Sequence, residues 1–249
     1  MSDRNRRLAL GALGFGLLGL ASIRAGWLEG LLPKRDLGFQ PMEGLPGYRV
    51  LRSGAVSFGA GVPVFGLDLD KPAGLVSAEK NVARELEFAL FGAGFVDGSA
   101  VPIAYFFDYQ CPICRRLSPR LLGLQGVSIQ WHDLAGLGPA SEVSARAAIA
   151  ARAQGAYAAF HERLMRARFQ ATESYVATLA ESVGIVPERL LADMDSPETS
   201  ARMWLSRALA SKFGMAGTPG LVIGKSVVIG DARTREIERI VAEEKRRPR

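Results

Sequence analysis

Phe106-Phe107-Asp108-Tyr109-Gln110-Cys111-Pro112-Ile113-Cys114-Arg115-Arg116-Leu117 decides the reading of this chain. The residues before it, Val101-Pro102-Ile103-Ala104-Tyr105-Phe106-Phe107, are a β-branched and aromatic run that predicts a buried strand. After it, Leu117, Leu121 and Leu122 set a helical apolar period. A Cys-x-x-Cys between strand and helix therefore sits at a helix N-terminus. Free backbone N–H groups and the positive end of the helix dipole favour a thiolate on the first cysteine there. Cys114, one turn on, lies on the same face and can close a disulfide with Cys111. Pro112 suits the first helical position, where its missing N–H costs nothing. The pattern predicts a redox centre.

Other uses of two cysteines fit less well. Structural cysteines need neither this spacing nor the proline. A zinc site needs two more ligands, and His132 and His161 are far apart and not at finger spacing. No metal is expected. Cys111 and Cys114 are the only cysteines in the chain, so any other disulfide the protein handles belongs to a partner.

The 249 residues, 48% hydrophobic, suffice for one domain with an insertion or two small ones. The net charge of +6 is concentrated at the ends. Arg4, Arg6, Arg7 and Arg24 against Asp3 place +3 in residues 1–25, and Lys245, Arg246, Arg247 and Arg249 crowd the last five. The body is about neutral and lacks a basic face with interleaved aromatics, which excludes nucleic acid as the partner.

Residues 1–25 read as an export signal: Arg4, Arg6 and Arg7 precede an apolar run over residues 8–23, and Gly19-Leu20-Ala21 offers small residues for cleavage. The Arg6-Arg7 pair only partly fits a twin-arginine signal. The alternative is an uncleaved anchor running on through Trp27 and Leu32, with Arg24 and Glu29 near the interface. Both place the body outside the cytoplasm, where a Cys-x-x-Cys exchanges disulfides with exported proteins.

Residues 26–97 form a Gly/Pro-rich extension. Within it, residues 26–76 read as linker with marginal strands at 48–51 and 62–69, and residues 77–91 as one helix capped by Ser77. Residues 98–245 form the main domain, and 246–249 a basic tail. After the cysteine helix, Val127 to Asp133 alternates as a second strand, which completes a βαβ unit. His132 in that strand is read as satisfied by backbone rather than as a base. Residues 139–213 are helical throughout: Ser141 and Thr172 are read as helix starts, and Pro187 and Pro197 as first helical residues. His161 falls among them as a structural residue. Leu221-Val222-Ile223 and Val227-Val228-Ile229 flank a tight turn, and a last helix, read as starting at Asp231, turns Ile237, Ile240 and Val241 inward.

With these stretches in hand, the chain resembles the DsbA-like thiol:disulfide oxidoreductases of the thioredoxin-fold superfamily, over residues 101–241. The resemblance rests on Ala104-Tyr105-Phe106-Phe107-Asp108-Tyr109-Gln110-Cys111-Pro112-Ile113-Cys114, on His132 to Glu142 with Ala147-Ala148 and Phe160-His161, and on Gly217-Thr218-Pro219-Gly220. It implies an α/β thioredoxin-like fold with a helical domain inserted at 139–213, preceded by the export signal or anchor and the Gly/Pro-rich extension. It implies Cys111 as the attacking thiolate, Cys114 as the resolving thiol, Pro219 as a cis-proline facing them, and Thr218 offering backbone groups to a substrate strand. No cofactor is implied beyond the Cys111–Cys114 disulfide. The implied partners are exported protein thiols and disulfides, together with a membrane partner that re-oxidises or reduces the pair.

Pro112, Ile113 and Arg115 are the residues placed to tune the thiolate. Well-known oxidising members carry histidine where this chain has the apolar Ile113, which moves the expected potential toward an isomerase-like poise. Arg115 can lean back toward Cys111 and supply a positive charge. Oxidation of exported proteins is the leading reading. The alternatives are a reductase or isomerase kept reduced by a membrane partner, and a non-catalytic chaperone-like module on the same scaffold.

Overall fold

The computed structural model describes residues 36–58, 71–92, 100–167 and 170–247. The expected signal or anchor and the 62–69 strand lie outside these residues. The chain divides into Met1–Gly38 and Phe39–Arg249, and the fold described below belongs to the second unit.

Its strands are β1 (Gln40–Pro41), β2 (Arg49–Arg52), β3 (Val101–Phe107), β4 (Val127–Asp133), β5 (Gly220–Ile223) and β6 (Ser226–Ile229). They form one sheet in the order β1-β2-β6-β5-β3-β4. β3 is buried at every position, as its unbroken apolar run predicts for a strand covered on both faces. It runs parallel to β4 from Val101↔Val127 to Phe107↔Asp133 and antiparallel to β5. The tight turn at Gly224-Lys225 joins β5 to β6, as expected.

Helices α1 (Ala73–Arg84), α2 (Leu86–Phe91), α3 (Pro112–Leu122), α4 (Pro139–Ala151), α5 (Tyr157–Arg166), α6 (Glu173–Ser182), α7 (Pro187–Met194), α8 (Pro197–Lys212) and α9 (Thr234–Arg246) complete the unit. Pro187 and Pro197 begin α7 and α8, and the Thr172 and Ser196 hydroxyls accept from Tyr175 N and Thr199 N. Ser141 does not cap α4, which starts at Pro139; its hydroxyl is used elsewhere. The last helix starts at Thr234 rather than Asp231, with the Glu236 carboxylate accepting from Arg233 N.

The main departure from the sequence reading lies before residue 97. The marginal strand read at 48–51 is a strand of the sheet at 49–52, paired in parallel with β6 from Arg49↔Ser226 to Arg52↔Ile229 rather than lying in a linker. The Arg49 guanidinium donates to Ser226 Oγ at 2.8 Å and to Glu243 at 2.9 Å on α9, which ties this strand to the C-terminal helix. Leu45 and Tyr48 are buried with Val82, Leu90, Phe106, Leu209 and Phe213, so the stretch read as linker covers one face of the sheet. Tyr48 packs edge-on against Phe213 at 5.2 Å. The helix read at 77–91 is two, broken at Glu85, whose φ of −138° and ψ of 55° leave the helical region.

Candidate active site

β3 delivers the chain to a turn built on Asp108. This buried carboxylate accepts from Gln110 N (2.7 Å) and Ser141 Oγ (2.7 Å) through Oδ1, and from Gly136 N (2.9 Å) and Leu137 N (3.1 Å) through Oδ2. Burial raises its pKa, and these four donors oppose the rise. Asp108 thereby joins the end of β3, the loop after β4 and the first turn of α4, and Cys111 N donates to its backbone carbonyl at 3.1 Å. No sequence signal marked Asp108 beyond its place in the motif, because its four donors come from three separate segments.

Cys111 is the N-cap residue of α3, and Pro112 is the first helical residue. Cys114 N donates to Cys111 Sγ at 3.2 Å, so the sulfur occupies the place of a capping oxygen. Both cysteines are unbridged and fully buried. Cys111, the sulfur expected to attack, is thus no more exposed than Cys114. Its sulfur is covered by Ser57 Oγ at 3.4 Å and Thr218 O at 3.7 Å, from segments distant in sequence. Thr218–Pro219 is a cis peptide bond, and the loop does face the cysteines. Thr218 Oγ1 is buried without a hydrogen-bond partner.

The two sulfurs titrate in opposite directions. Cys111 is lowered from 9.0 to about 6, first by the Cys114 thiol as a donor, against burial, and then by the Ser57 hydroxyl and Cys114 N–H. Cys114 is pushed far up, first by burial and then by the neighbouring Cys111 thiolate. The charge thus resides on Cys111.

Arg115 is held by other partners. Its Nε donates to Tyr109 O at 2.8 Å and its Nη1 to Ala167 O, so the guanidinium fastens the loop before Cys111 to the end of α5. Ile113 is buried and apolar, and Pro112 acts through backbone position. The Cys111 alkylation rate is expected to follow a titration centred near pH 6, with Arg115→Ala leaving that midpoint in place. A pH series with iodoacetamide on both proteins measures it. Because the folded pKa is depressed, thiolate stabilisation is complete above the unfolded value of 9.0 and is lost as pH falls through about 6.

Behind the motif lies a buried polar cluster. Tyr109 OH donates to Asp133 Oδ1 (3.0 Å) and Tyr157 OH to Asp133 Oδ2 (3.1 Å). Burial raises Asp133 to about 6, against Arg152 and the two phenols. Tyr109 spends its one proton on Asp133, so His161 Nδ1, 3.0 Å away, donates to the phenol oxygen. His161 Nε2 is left a bare acceptor without a partner, in keeping with a pKa lowered by burial to about 3. His132 is likewise neutral, lowered by burial to about 4, and its Nε2 lies 2.8 Å from Leu90 O. Both histidines are structural. Among the described residues, no group of three His, Cys, Asp or Glu side chains is arranged to hold a metal ion, and no helix is long and apolar enough to cross a membrane.

Residues 102–242 match the family described as a DSBA-like thioredoxin domain. The chain belongs to that family. Members of the DSBA-like family are thiol–disulfide oxidoreductases whose redox centre is the cysteine pair itself, which here is Cys111 and Cys114. A thioredoxin-like oxidoreductase from Silicibacter pomeroyi DSS-3 is 35% identical, with 65% of this chain and 98% of that one covered and a TM-score of 0.61. The thiol-disulfide exchange protein alpha-DsbA2 of Wolbachia pipientis shares the fold at 20% identity, with coverage of 70% and 99% and a TM-score of 0.59. A periplasmic thioredoxin-like protein of Salmonella enterica serovar Typhimurium does so at 23% identity, with coverage of 64% and 95% and a TM-score of 0.51. No curated protein sequence matches the chain.

Proposed function

We propose that this DSBA-like protein oxidises thiols of exported proteins outside the cytoplasm, through Cys111 as the exchanging sulfur and Cys114 as its buried partner. The observation that carries the reading is the arrangement of the pair: Cys111 Sγ caps α3 and receives Cys114 N–H at 3.2 Å, with Cys114 buried behind it. A substrate thiolate attacks Cys111 of the Cys111–Cys114 disulfide, the S–S bond breaks, and Cys114 leaves with the electron pair and takes up a proton. A second substrate thiolate then attacks its own sulfur in the mixed disulfide and expels Cys111, which leaves readily as the lower-pKa thiolate. Two electrons rest on the pair and pass on to a membrane-held acceptor. Thr218 and Pro219 line the place where the substrate sulfur must arrive, since Thr218 O is 3.7 Å from Cys111 Sγ. The arginine-led apolar run of residues 1–25 supports an extracytoplasmic site of action, and one structural neighbour is a periplasmic protein.

The direction follows from which form is stabilised. Donors around the Cys111 thiolate stabilise the reduced state, which makes the disulfide an oxidant. Ile113 contributes nothing polar, so the potential should fall between the thioredoxin and DsbA extremes, near roughly −180 mV. Equilibration against glutathione buffers measures it. A value near or below about −270 mV would overturn oxidation in favour of reduction. Ile113→His should move the potential upward, toward roughly −120 mV, as the thiolate gains a donor. An Ile113→His protein no more oxidising than the wild type would assign the tuning to the Ser57 hydroxyl instead.

A further inference from the structure

Any sulfur that reacts with Cys111 must first touch Cys111 Sγ, and besides the Cys114 thiol the groups now set against it include Cys114 N, Thr218 O and Ser57 Oγ, at 3.2, 3.7 and 3.4 Å. The first belongs to α3 and the second to the loop entering β5, and neither can leave without dismantling the site. Ser57 can. It lies in residues 53–58, which run on from β2 outside the sheet's strands.

This segment is held as an extended peptide is held, by backbone. Ser53 N donates to Ile229 O at 2.8 Å and Asp231 N to Ala55 O at 3.0 Å. Ser57 and Thr218 then exchange both of their N–H···O bonds, at 2.7 and 3.1 Å, as an isolated antiparallel bridge. The seat is cut for close backbone approach: a Cβ on Gly217 would stand 2.6 Å from Ser57 O, and one on Gly230, at φ +107°, 2.1 Å from Ser53 O. Side chains contribute less, with Ala55 and Phe58 exposed and Val56 and Ser57 half-buried. The backbone groups of Thr218, expected from the sequence to be open to a substrate strand, are both occupied by the chain itself.

We infer that residues 53–58 are a resident pseudosubstrate, seated on Thr218 with the Ser57 hydroxyl where a substrate sulfur must come, and that an extended cysteine-bearing peptide reaches Cys111 by displacing Ser57 from that seat. The inference rests on the proposed exchange at Cys111. Serine differs from cysteine by one atom, and its oxygen cannot enter the exchange, so the seated segment guards the sulfur without consuming it. Displacement is cheap, because the incoming strand can make the same two hydrogen bonds with Thr218 that Ser57 gives up.

Two variants of the full chain unseat the segment by different means. Gly217→Ala pushes against Ser57 O from outside the segment, and Ser57→Pro removes the N–H that Thr218 O accepts. For each, the iodoacetamide rate of the reduced protein is followed to its high-pH plateau, where every Cys111 is thiolate and only access differs. Reaction with a disulfide-bearing peptide is measured alongside. Both variants should react about tenfold faster than wild type at the plateau, the effect of one net backbone hydrogen bond on the open population. A third variant locks the segment. Ser57→Cys combined with Cys114→Ala, treated with glutathione disulfide, should form an internal disulfide to Cys111, with two electrons and two protons passing to glutathione disulfide as two glutathiones. That protein should be two hydrogens lighter and inert to the peptide until reduced.

Plateau rates equal to wild type in both unseated variants would overturn the guard, and so would failure of the lock to form in folded protein. If wild type exchanges with the peptide and Ser57→Pro, which leaves the seat itself unaltered, is no faster, the pseudosubstrate falls while the proposed function stands. If the variants alkylate faster yet no protein exchanges with the peptide, the guard stands and the proposed function falls.

Discussion

Cys114→Ala should turn the protein from a turnover catalyst into a trap. With Cys111 as the exchanging sulfur, a substrate disulfide opened by its thiolate leaves a mixed disulfide that Cys114, the nearest thiol in the protein, normally resolves. Without that sulfur the complex should persist and appear on non-reducing gels as adducts released by reductant. Cys111→Ala should trap nothing and should lose exchange by on the order of a thousandfold or more, the scale on which loss of a covalent nucleophile acts. The structure adds a condition. The Cys114 thiol is the foremost group lowering Cys111 to about 6, so its removal raises the pKa of the sulfur under test. Trapping by Cys114→Ala should therefore be slow near pH 6 and recover in alkali, whereas Cys114→Ser, which keeps a donor, should trap over a wider range. Adducts formed by the Cys111→Ala protein would reverse the assignment.

Asp108→Ala should be the most destabilising single change near the site. It leaves Gln110 N, Gly136 N, Leu137 N and Ser141 Oγ, all drawn to one buried carboxylate, without their acceptor. Removing one partner from a buried charged network costs about 3–5 kcal/mol, more than any one of these bonds contributes net. In a domain of this size that is a fall in melting temperature on the order of 10 °C. Thermal unfolding of the reduced protein measures it. A loss within about 2 °C would mean that water replaces the carboxylate and that Asp108 does not organise the turn. Asp108→Asn should fare little better, since its amide nitrogen would confront at least one N–H donor.

These two residues also mark how far sequence carries. Cys111, Cys114 and Pro112 were legible because strand, turn and helix are contiguous, and the helix N-terminus acts on its own first residue. Pro187, Pro197 and Thr172 were legible for the same reason, each marking a helix start through local backbone chemistry. The Ser57 cover of Cys111 was not, because Ser57 lies 54 residues before it with no local pattern to couple them, and Thr218, 107 residues after, was reached only through the family resemblance. The partners of Arg115 were hidden in the same way: its spacing from Cys111 allows a contact with the thiolate, but carbonyls of the preceding loop and of Ala167 accept from the guanidinium. β2 is only four residues long and largely half-buried, so it shows neither the unbroken apolar run of β3 nor a clear alternation. The break between α1 and α2 at Glu85 interrupts backbone geometry without interrupting the apolar stripe through Val82, Leu86 and Leu90.

The parallel pairing of β2 with β6 joins Arg49 to Ser226, 177 residues apart. On the ribosome, the first half of that pair waits for almost the whole remainder of the protein to be made. The same holds for the cysteine pair, because the Thr218 side of its enclosure is translated 107 residues after Cys111. At roughly 5–20 residues per second this is an interval of about 5 to 20 seconds. If the proposed extracytoplasmic site of action holds, a chain threaded N-terminus first into an oxidising compartment presents its own dithiol naked before it can wrap it. For that interval the future catalyst has the chemical standing of a client.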